Sequence, residues 1–210
     1  MQILFLGNNS QASLRAMTMI KSLRFTYDCN VCAHNNGKVC HYPEKYDLGI
    51  SFLYPFLVPK KELRKATWIN FHPALLPAFG GRNVHYHVIK NNSKEFGGTV
   101  HYMSDTFDTG DIIDTKSMPL EPDFTAEDVY DFACDALLEL LEMYVPKLIQ
   151  GESIPRSPQQ GTQYYKQQKI NDIVSMTDQT KRDLMALTFP PHYPKVKIGD
   201  TVYKIKLEKE

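Results

Sequence analysis

The chain has 210 residues, 42% of them hydrophobic, and its 24 Lys and Arg residues balance 24 Asp and Glu residues. That length suits one α/β domain of about 150 residues with a small appendage. A formal net charge of zero offers no general attraction to nucleic acid or to an anionic membrane, so neither is expected as a partner. The apolar run at 2–6 is too short for a signal-peptide core and no stretch reaches membrane-spanning length, so a cytoplasmic location is expected.

Residues 2–6 form a short apolar strand. Gly7-Asn8-Asn9-Ser10 then reads as a turn whose Ser10 caps a helix over about 11–23, which opens a βαβ unit. Further strands are expected at 27–33, 47–53, 67–71 and 98–103, with helical segments near 57–66 and 83–91. Strands alternating with helices predict an α/β, Rossmann-like, mainly parallel sheet with helices on both faces. The strand at 111–118 follows the 105–110 loop too closely for a crossover and is expected to be antiparallel. Thr125 with Asp128 makes a capping box. Val129, Phe132, Ala133, Ala136, Leu137, Leu140, Leu141 and Tyr144 follow at helical spacing, until Pro146 and Gly151 end the helix. The polar, proline-rich stretch at 151–158 reads as a linker. Two units are therefore expected, 1–150 and a small C-terminal region 151–210, the latter with a short helix at 179–187 and a β-hairpin of 195–198 and 201–207 around Gly199-Asp200.

Cys29-x2-Cys32 followed by Cys40-His41 comes close to a zinc-ligand spacing. A strand at 27–33 throws Cys29 and Cys32 to opposite faces, and no second close pair follows, so reduced thiols and no metal are expected.

The chemistry concentrates at Asn70-Phe71-His72-Pro73. Two residues apart on a strand, Asn70 and His72 share a face with Cα atoms roughly 6.5 Å apart, and Pro73 forces the chain out of the sheet, leaving His72 on its rim. A carboxamide beside an imidazole supplies two donors to an oxyanion, and a carboxylate that orients the imidazole completes the set. Asp108, in the turn Thr106-Phe107-Asp108-Thr109-Gly110, is the best candidate: Gly110 permits a sharp path and nearby backbone groups can fix the carboxylate. No Gly-x-Ser-x-Gly elbow occurs and no cysteine lies in an activated setting, so this is acyl-transfer machinery without a covalent nucleophile. On the residues alone, an Asn-x-His that satisfies backbone groups at a turn, and turn acids at Asp105, Asp108 and Asp111, remain open readings. His101 reads as structural, His85 and His87 as helix residues of mixed exposure, and Tyr164-Tyr165 as packing.

Three ordered motifs, Asn70-Phe71-His72-Pro73-Ala74-Leu75-Leu76-Pro77, Gly98-Thr99-Val100-His101 and Asp108-Thr109-Gly110-Asp111-Ile112-Ile113, resemble those of the 10-formyltetrahydrofolate-dependent formyltransferases over roughly residues 1–150. The resemblance implies a catalytic triad of Asn70, His72 and Asp108. It implies that the segment carrying Phe52, Leu53, Tyr54, Phe56, Leu57 and Val58 receives the pterin ring of the folate co-substrate. Leu76 and the loop with Asp105, Thr106 and Gly110 would close over the same ring. One departure is the run Ala78-Phe79-Gly80-Gly81-Arg82, where the family commonly has a short Arg-Gly turn, which displaces Arg82.

The acceptor is read from the tail. A methionyl-tRNA formyltransferase is expected to carry a further C-terminal barrel and a basic surface. Here Gly161-Thr162-Gln163-Tyr164-Tyr165, Ile170-Asn171 and Phe189-Pro190-Pro191-His192-Tyr193-Pro194 before a hairpin are similar to the tail of the sugar-nucleotide N-formyltransferases. The expected acceptor is the amine of a nucleotide-linked amino sugar, such as a dTDP-amino-dideoxyhexose. Gly7, Asn8, Asn9, Arg82 and Tyr164 are its candidate contacts. The alternatives are glycinamide ribonucleotide formyltransfer, and a non-catalytic folate- or nucleotide-binding protein on the same scaffold. The exposed edges of the tail hairpin suit a homodimer.

Overall fold

The computed structural model describes residues 1–23, 29–33, 42–122, 124–167, 181–191, 193–198 and 200–205. Strands β1 (Ile3–Gly7), β2 (Cys29–Ala33), β3 (Leu48–Phe52) and β4 (Thr67–His72) are followed by a two-residue β5 (Gly80–Gly81) and by β6 (Glu95–Tyr102) and β7 (Ile112–Pro119). Six of these make one sheet in the order β2-β1-β3-β4-β6-β7. The first four are parallel, whereas β6 runs antiparallel to β4, and β7 antiparallel to β6. The sheet is thus mainly parallel, with a reversal at β6 that alternation of strands and helices did not announce.

Every residue of β1 and β3 is buried, because both faces of these central strands are covered. Ile3 and Phe5 face one core, built with Ala16 and Ile20 of helix α1 (Gln11–Ser22) and with Leu137, Leu141 and Val145. Leu4 and Leu6 face a second, with Tyr46, Val58 and Trp68. The first core is roofed by α1 and by a long helix; the second, among the described residues, by the segments 42–46 and 54–58 and one short turn of helix. That turn is α2 (Lys60–Leu63), much shorter than the expected 57–66. Pro59 sits extended at ψ 142° and has no N–H, so the helix starts only after it.

Helix α3 (Val84–Lys90) and the long helix α4 (Ala126–Ile149) lie where expected, and α4 opens on the Thr125–Asp128 capping box. Pro146 does not end α4: the helix runs one turn further with Val145 and Ile149 buried in the core, and Gly151 at φ +72° ends it. Beyond it come β8 (Tyr164–Tyr165), paired in parallel with β5, then α5 (Lys181–Leu187) and a hairpin of β9 (Lys195–Ile198) with β10 (Thr201–Lys204). Met185 and Ala186 of α5 share a third core with Phe79, Val84, Val88, Ile89 and Phe96. The 151–158 stretch is sewn down, since Ile112 and Ser157 exchange two backbone hydrogen bonds of 2.8 Å. Cys40 and His41 fall outside the described residues, as do the side chains of Cys29 and Cys32. Among the described residues no cluster of ligating side chains could hold a metal, and no helix is long and apolar enough to cross a membrane.

Candidate active site

Beyond the carboxyl ends of β1, β3 and β4 opens a cleft of about 240 Å³. Asn70, His72 and Asp108 all line it. Alternation along β4 aims Asn70 and His72 the same way, and the chain leaves the sheet at Pro73. The turn that follows is pinned by Thr99, fully buried on β6, whose hydroxyl donates to Ala74 O (2.7 Å) and accepts from Leu76 N (3.1 Å).

His72 Nε2–H donates to Phe79 O at 2.7 Å, which leaves Nδ1 turned toward Asp108 Oδ1 at 3.7 Å. A second proton on this ring therefore enters the space between imidazole and carboxylate. Asp108 Oδ1 also stands 3.5 Å from Asn70 Nδ2 and 3.8 Å from His101 Nε2, so one oxygen faces all three polar side chains. Its partner Oδ2 accepts from the Gly81 N–H at 2.8 Å. The His72 and Asp108 side chains are only 6% and 9% exposed, which raises the worth of each charge and donor.

His101 does more than fill the core. It is 1% exposed, its Nδ1–H donates to Tyr102 O at 2.7 Å, and its Nε2 then accepts from Asn70 Nδ2 at 3.1 Å. Burial is the main cause holding its pKa down to about 4, against the upward pull of the Asp108 carboxylate, so the ring is neutral at pH 7. A neutral imidazole with its proton on Nδ1 can only accept at Nε2, which fixes the amide of Asn70 with its NH2 group inward. One N–H is used by His101; the other, at 3.5 Å from Asp108, remains available to an oxygen placed between them.

The Asp108 turn differs in detail from the expected one. The positive φ falls on Asp108 itself, at 55°, and not on Gly110. Gly110 is required for close approach, since a Cβ there would lie 1.8 Å from Tyr102 O. The backbone donor that holds the carboxylate comes from another loop, at Gly81, where φ is +98° and a Cβ would meet Tyr165 O at 2.2 Å.

Of the expected ring-binding residues, Leu53, Tyr54, Phe56, Leu57, Val58 and Thr106 line the cleft. Phe52 is fully buried in the core, Leu76 is buried behind the turn, Asp105 pairs with Lys60 at 3.1 Å, and Gly110 packs on Tyr102, all away from the cleft wall. Of the expected acceptor contacts, Asn8, Arg82 and Tyr164 line it, whereas Gly7 and Asn9 do not. Asn8 Oδ1 accepts from Ser10 N at 3.0 Å, and Arg82 reaches Pro55 O and Gln167 Oε1 (3.0 Å). Tyr164 is 44% exposed with its ring 6.1 Å from Phe107, while Tyr165 stacks on His87. His85 and His87 are both buried, a correction to their expected mixed exposure, because Phe189 covers His85 at 4.3 Å and Tyr165 covers His87 at 4.0 Å. Asn83, His85 and Tyr130 add a wall that local pattern did not single out.

A mixed α/β sheet whose carboxyl edge holds a carboxamide, an imidazole and a carboxylate, with no serine or thiol nucleophile among them, has the donors to stabilise an oxyanion directly, the chemistry suited to a group-transfer enzyme. A family model described as formyl transferase matches residues 43–141, which span β3, β4, the Asp108 loop and most of α4. GDP-perosamine N-formyltransferase of Brucella melitensis is 28% identical over 206 residues, covering 94% of this chain and 78% of its own length. Among solved structures, a 4-N formyltransferase from Francisella tularensis matches 100% of this chain and 98% of its own, with TM-score 0.77 and 22% identity. An N-formyltransferase from Helicobacter canadensis, in complex with folinic acid and dTDP-3-aminofucose, matches 95% of this chain and 85% of its own, with TM-score 0.79 and 20% identity. The chain belongs to the formyltransferase family and is a formyltransferase.

Proposed function

We propose that this enzyme moves a formyl group from 10-formyltetrahydrofolate to the primary amine of a nucleotide-linked amino sugar, with Asn70, His72 and Asp108 as its catalytic residues. The observation that carries the reading is the convergence of three polar side chains on Asp108 Oδ1 within 3.5 to 3.8 Å, in a cleft otherwise walled on one side by Leu53, Leu57 and Val58. That apolar wall suits the flat ring of a folate, and the backbone groups of the 53–58 segment can read its edge. Likeness to a GDP-perosamine N-formyltransferase along nearly the whole chain supports an amino-sugar acceptor. So does likeness in fold to an enzyme holding dTDP-3-aminofucose. In this reading residues 1–150 are the catalytic body and 151–210 an arm seated on it, and Asn8, Arg82 and Tyr164 meet the acceptor. The enzyme is cytoplasmic and pairs as a homodimer through the exposed β10 edge, which light scattering tests.

The donor supplies the one-carbon unit; the protein supplies the field around it. Protonated His72, oriented by its bond to Phe79 O, and the second N–H of Asn70 hold the oxygen that becomes negative as the amine attacks. Asp108 stabilises the imidazolium and takes the proton from the attacking nitrogen through water; as the tetrahedral intermediate collapses, the bond from the formyl carbon to N10 breaks and the same proton is returned to N10, which leaves as tetrahydrofolate. The amine arrives neutral. Removing one donor, as in His72→Ala or Asn70→Ala, is expected to lower turnover on the order of a hundredfold. The test is incubation with 10-formyltetrahydrofolate and a panel of amino-sugar nucleotides, with glycinamide ribonucleotide included. A mass gain of one formyl group on an amino-sugar nucleotide is the expected result. Formylation of glycinamide ribonucleotide alone would overturn the acceptor, and near-normal turnover by His72→Ala would overturn the site.

A further inference from the structure

The arm that follows α4 does not simply lie against the body; it threads between the two loops that hold the polar cluster. Ser157 pairs with Ile112, just after the Asp108 loop. Gln163 N donates to Pro77 O and Gly80 N donates to Gln163 O, each at 2.9 Å, and Arg82 N donates to Tyr165 O at 2.9 Å. The same few residues therefore fix the 77–82 loop, which carries both the Phe79 carbonyl that orients His72 and the Gly81 N–H that holds Asp108.

Between those two anchorages, Gln159 reaches the other loop. Its Nε2 donates to Asp108 O at 3.1 Å and to Gly110 O at 2.5 Å, one N–H to each, so the amide spans the backbone on either side of Thr109. Thr162 Oγ1 stands 3.4 Å from Asp108 O and 3.3 Å from Gln159 Oε1. Both side chains are half-buried. The loop needs such a hold. It leaves β6 beside Ile69, not at the His72 end of β4, and it places a non-glycine residue at φ 55°, a conformation a loop gives up readily when nothing fixes it. Among the described residues, the hydroxyls of Ser104, Thr106 and Thr109 bond only inside the loop, and the Lys60–Asp105 pair at its front is more than half exposed. Such a pair contributes little.

We infer that Gln159, assisted by Thr162, is a positioning residue for the formyl transfer: its carboxamide clamps the Asp108 loop so that the carboxylate faces His72 and Asn70. This rests on the catalytic reading of Asp108. The clamp touches no reacting atom and acts on turnover through the carboxylate alone.

The experiment compares Gln159→Glu, Thr162→Val, Asp108→Asn and the double variant Gln159→Glu/Asp108→Asn with the parent enzyme, using 10-formyltetrahydrofolate and the acceptor found in the panel above. Glutamate keeps the size of glutamine but, when ionised, cannot donate, so Gly110 O loses its donor and Asp108 O keeps only the longer approach of Thr162. The expected result is a fall in kcat of about ten- to hundredfold with KM for the folate little changed, since a displacement near 1 Å costs that much. Thr162→Val is expected to give a smaller fall in the same parameter. The double variant is expected to be no slower than Asp108→Asn, since a clamp has nothing to position once the carboxylate is gone. A Gln159→Glu enzyme with kcat within about twofold of the parent, or a penalty that adds in full to that of Asp108→Asn, overturns the clamp. Asp108→Asn with parental turnover overturns the site assignment and the clamp with it. An impaired Asp108→Asn beside a fully active Gln159→Glu overturns the clamp alone.

Discussion

Replacing His101 by glutamine isolates the energy stored in one neutral ring. Burial keeps this histidine from charging until the pH falls to about 4, against 6.5 for a free imidazole. The unfolded chain takes up the proton near pH 6.5 and the folded chain only near pH 4. The stability held by the neutral ring is therefore complete above pH 6.5, is lost as the pH falls through that window, and stays lost below it. At 1.36 kcal/mol per unit, the loss is about 3 kcal/mol. Glutamine does not titrate: its Oε1 takes the place of Nε2 as acceptor for Asn70, while Tyr102 O loses its donor at a pH-independent cost of about 1–2 kcal/mol. Urea unfolding of both proteins between about pH 7.5 and about pH 4 gives the difference directly. The parent is expected to be the more stable at the upper end and the less stable at the lower, the sign reversing near the middle of the window. A difference that stays constant across the range refutes a neutral, buried His101. Comparing the two proteins cancels the other histidines, including His87, whose pKa burial also lowers.

Thr99→Val leaves Ala74 O and Leu76 N unpaired inside the protein and is expected to cost about 2–4 kcal/mol, read as a fall in Tm of several degrees; an unchanged Tm contradicts the pinned turn. Gly81→Ala forces a side chain to φ +98° and against Tyr165 O, so both Tm and turnover are expected to fall as β5 is pushed from β8 and the Asp108 tether lengthens. Thr125→Ala removes the cap of α4 and is expected to lower stability by about 1 kcal/mol with kcat unaltered, measured by denaturant unfolding beside steady-state kinetics.

Much of this molecule is legible from residue order because its main signals are local. Apolar runs define β1, β3 and β4; Ser10 and Thr125 mark helix starts by the chemistry of their own side chains; Pro73 forces His72 to the rim. The meeting of Asn70, His72 and Asp108 was readable as three residue types suited to one reaction, although spacing gave only the Asn70–His72 separation and nothing of how near Asp108 comes. What escaped is carried by backbone or by distant sequence. β5 is two glycines, with no side chains to show a period, and its decisive group is the Gly81 N–H. Gln159 lies 51 positions from the carbonyl it clamps and belongs to no motif. The left-handed turn at Asp108 and the reversal of β6 are set by tertiary pairing, and the burial of His85 and His87 by rings arriving from the C-terminal arm.

The pairing of β5 with β8 also sets an order of events during synthesis. The sheet, α1 and α4 can form as soon as residues up to about 150 have left the ribosome, since N-terminal units fold first. The segment that grips the 77–82 and 106–110 loops emerges only later, with residues 157–165. A nascent chain halted between those points would hold its sheet and long helices but lack the contacts that fix the proposed carboxylate, so ordering of the site follows the emergence of residues 157–165.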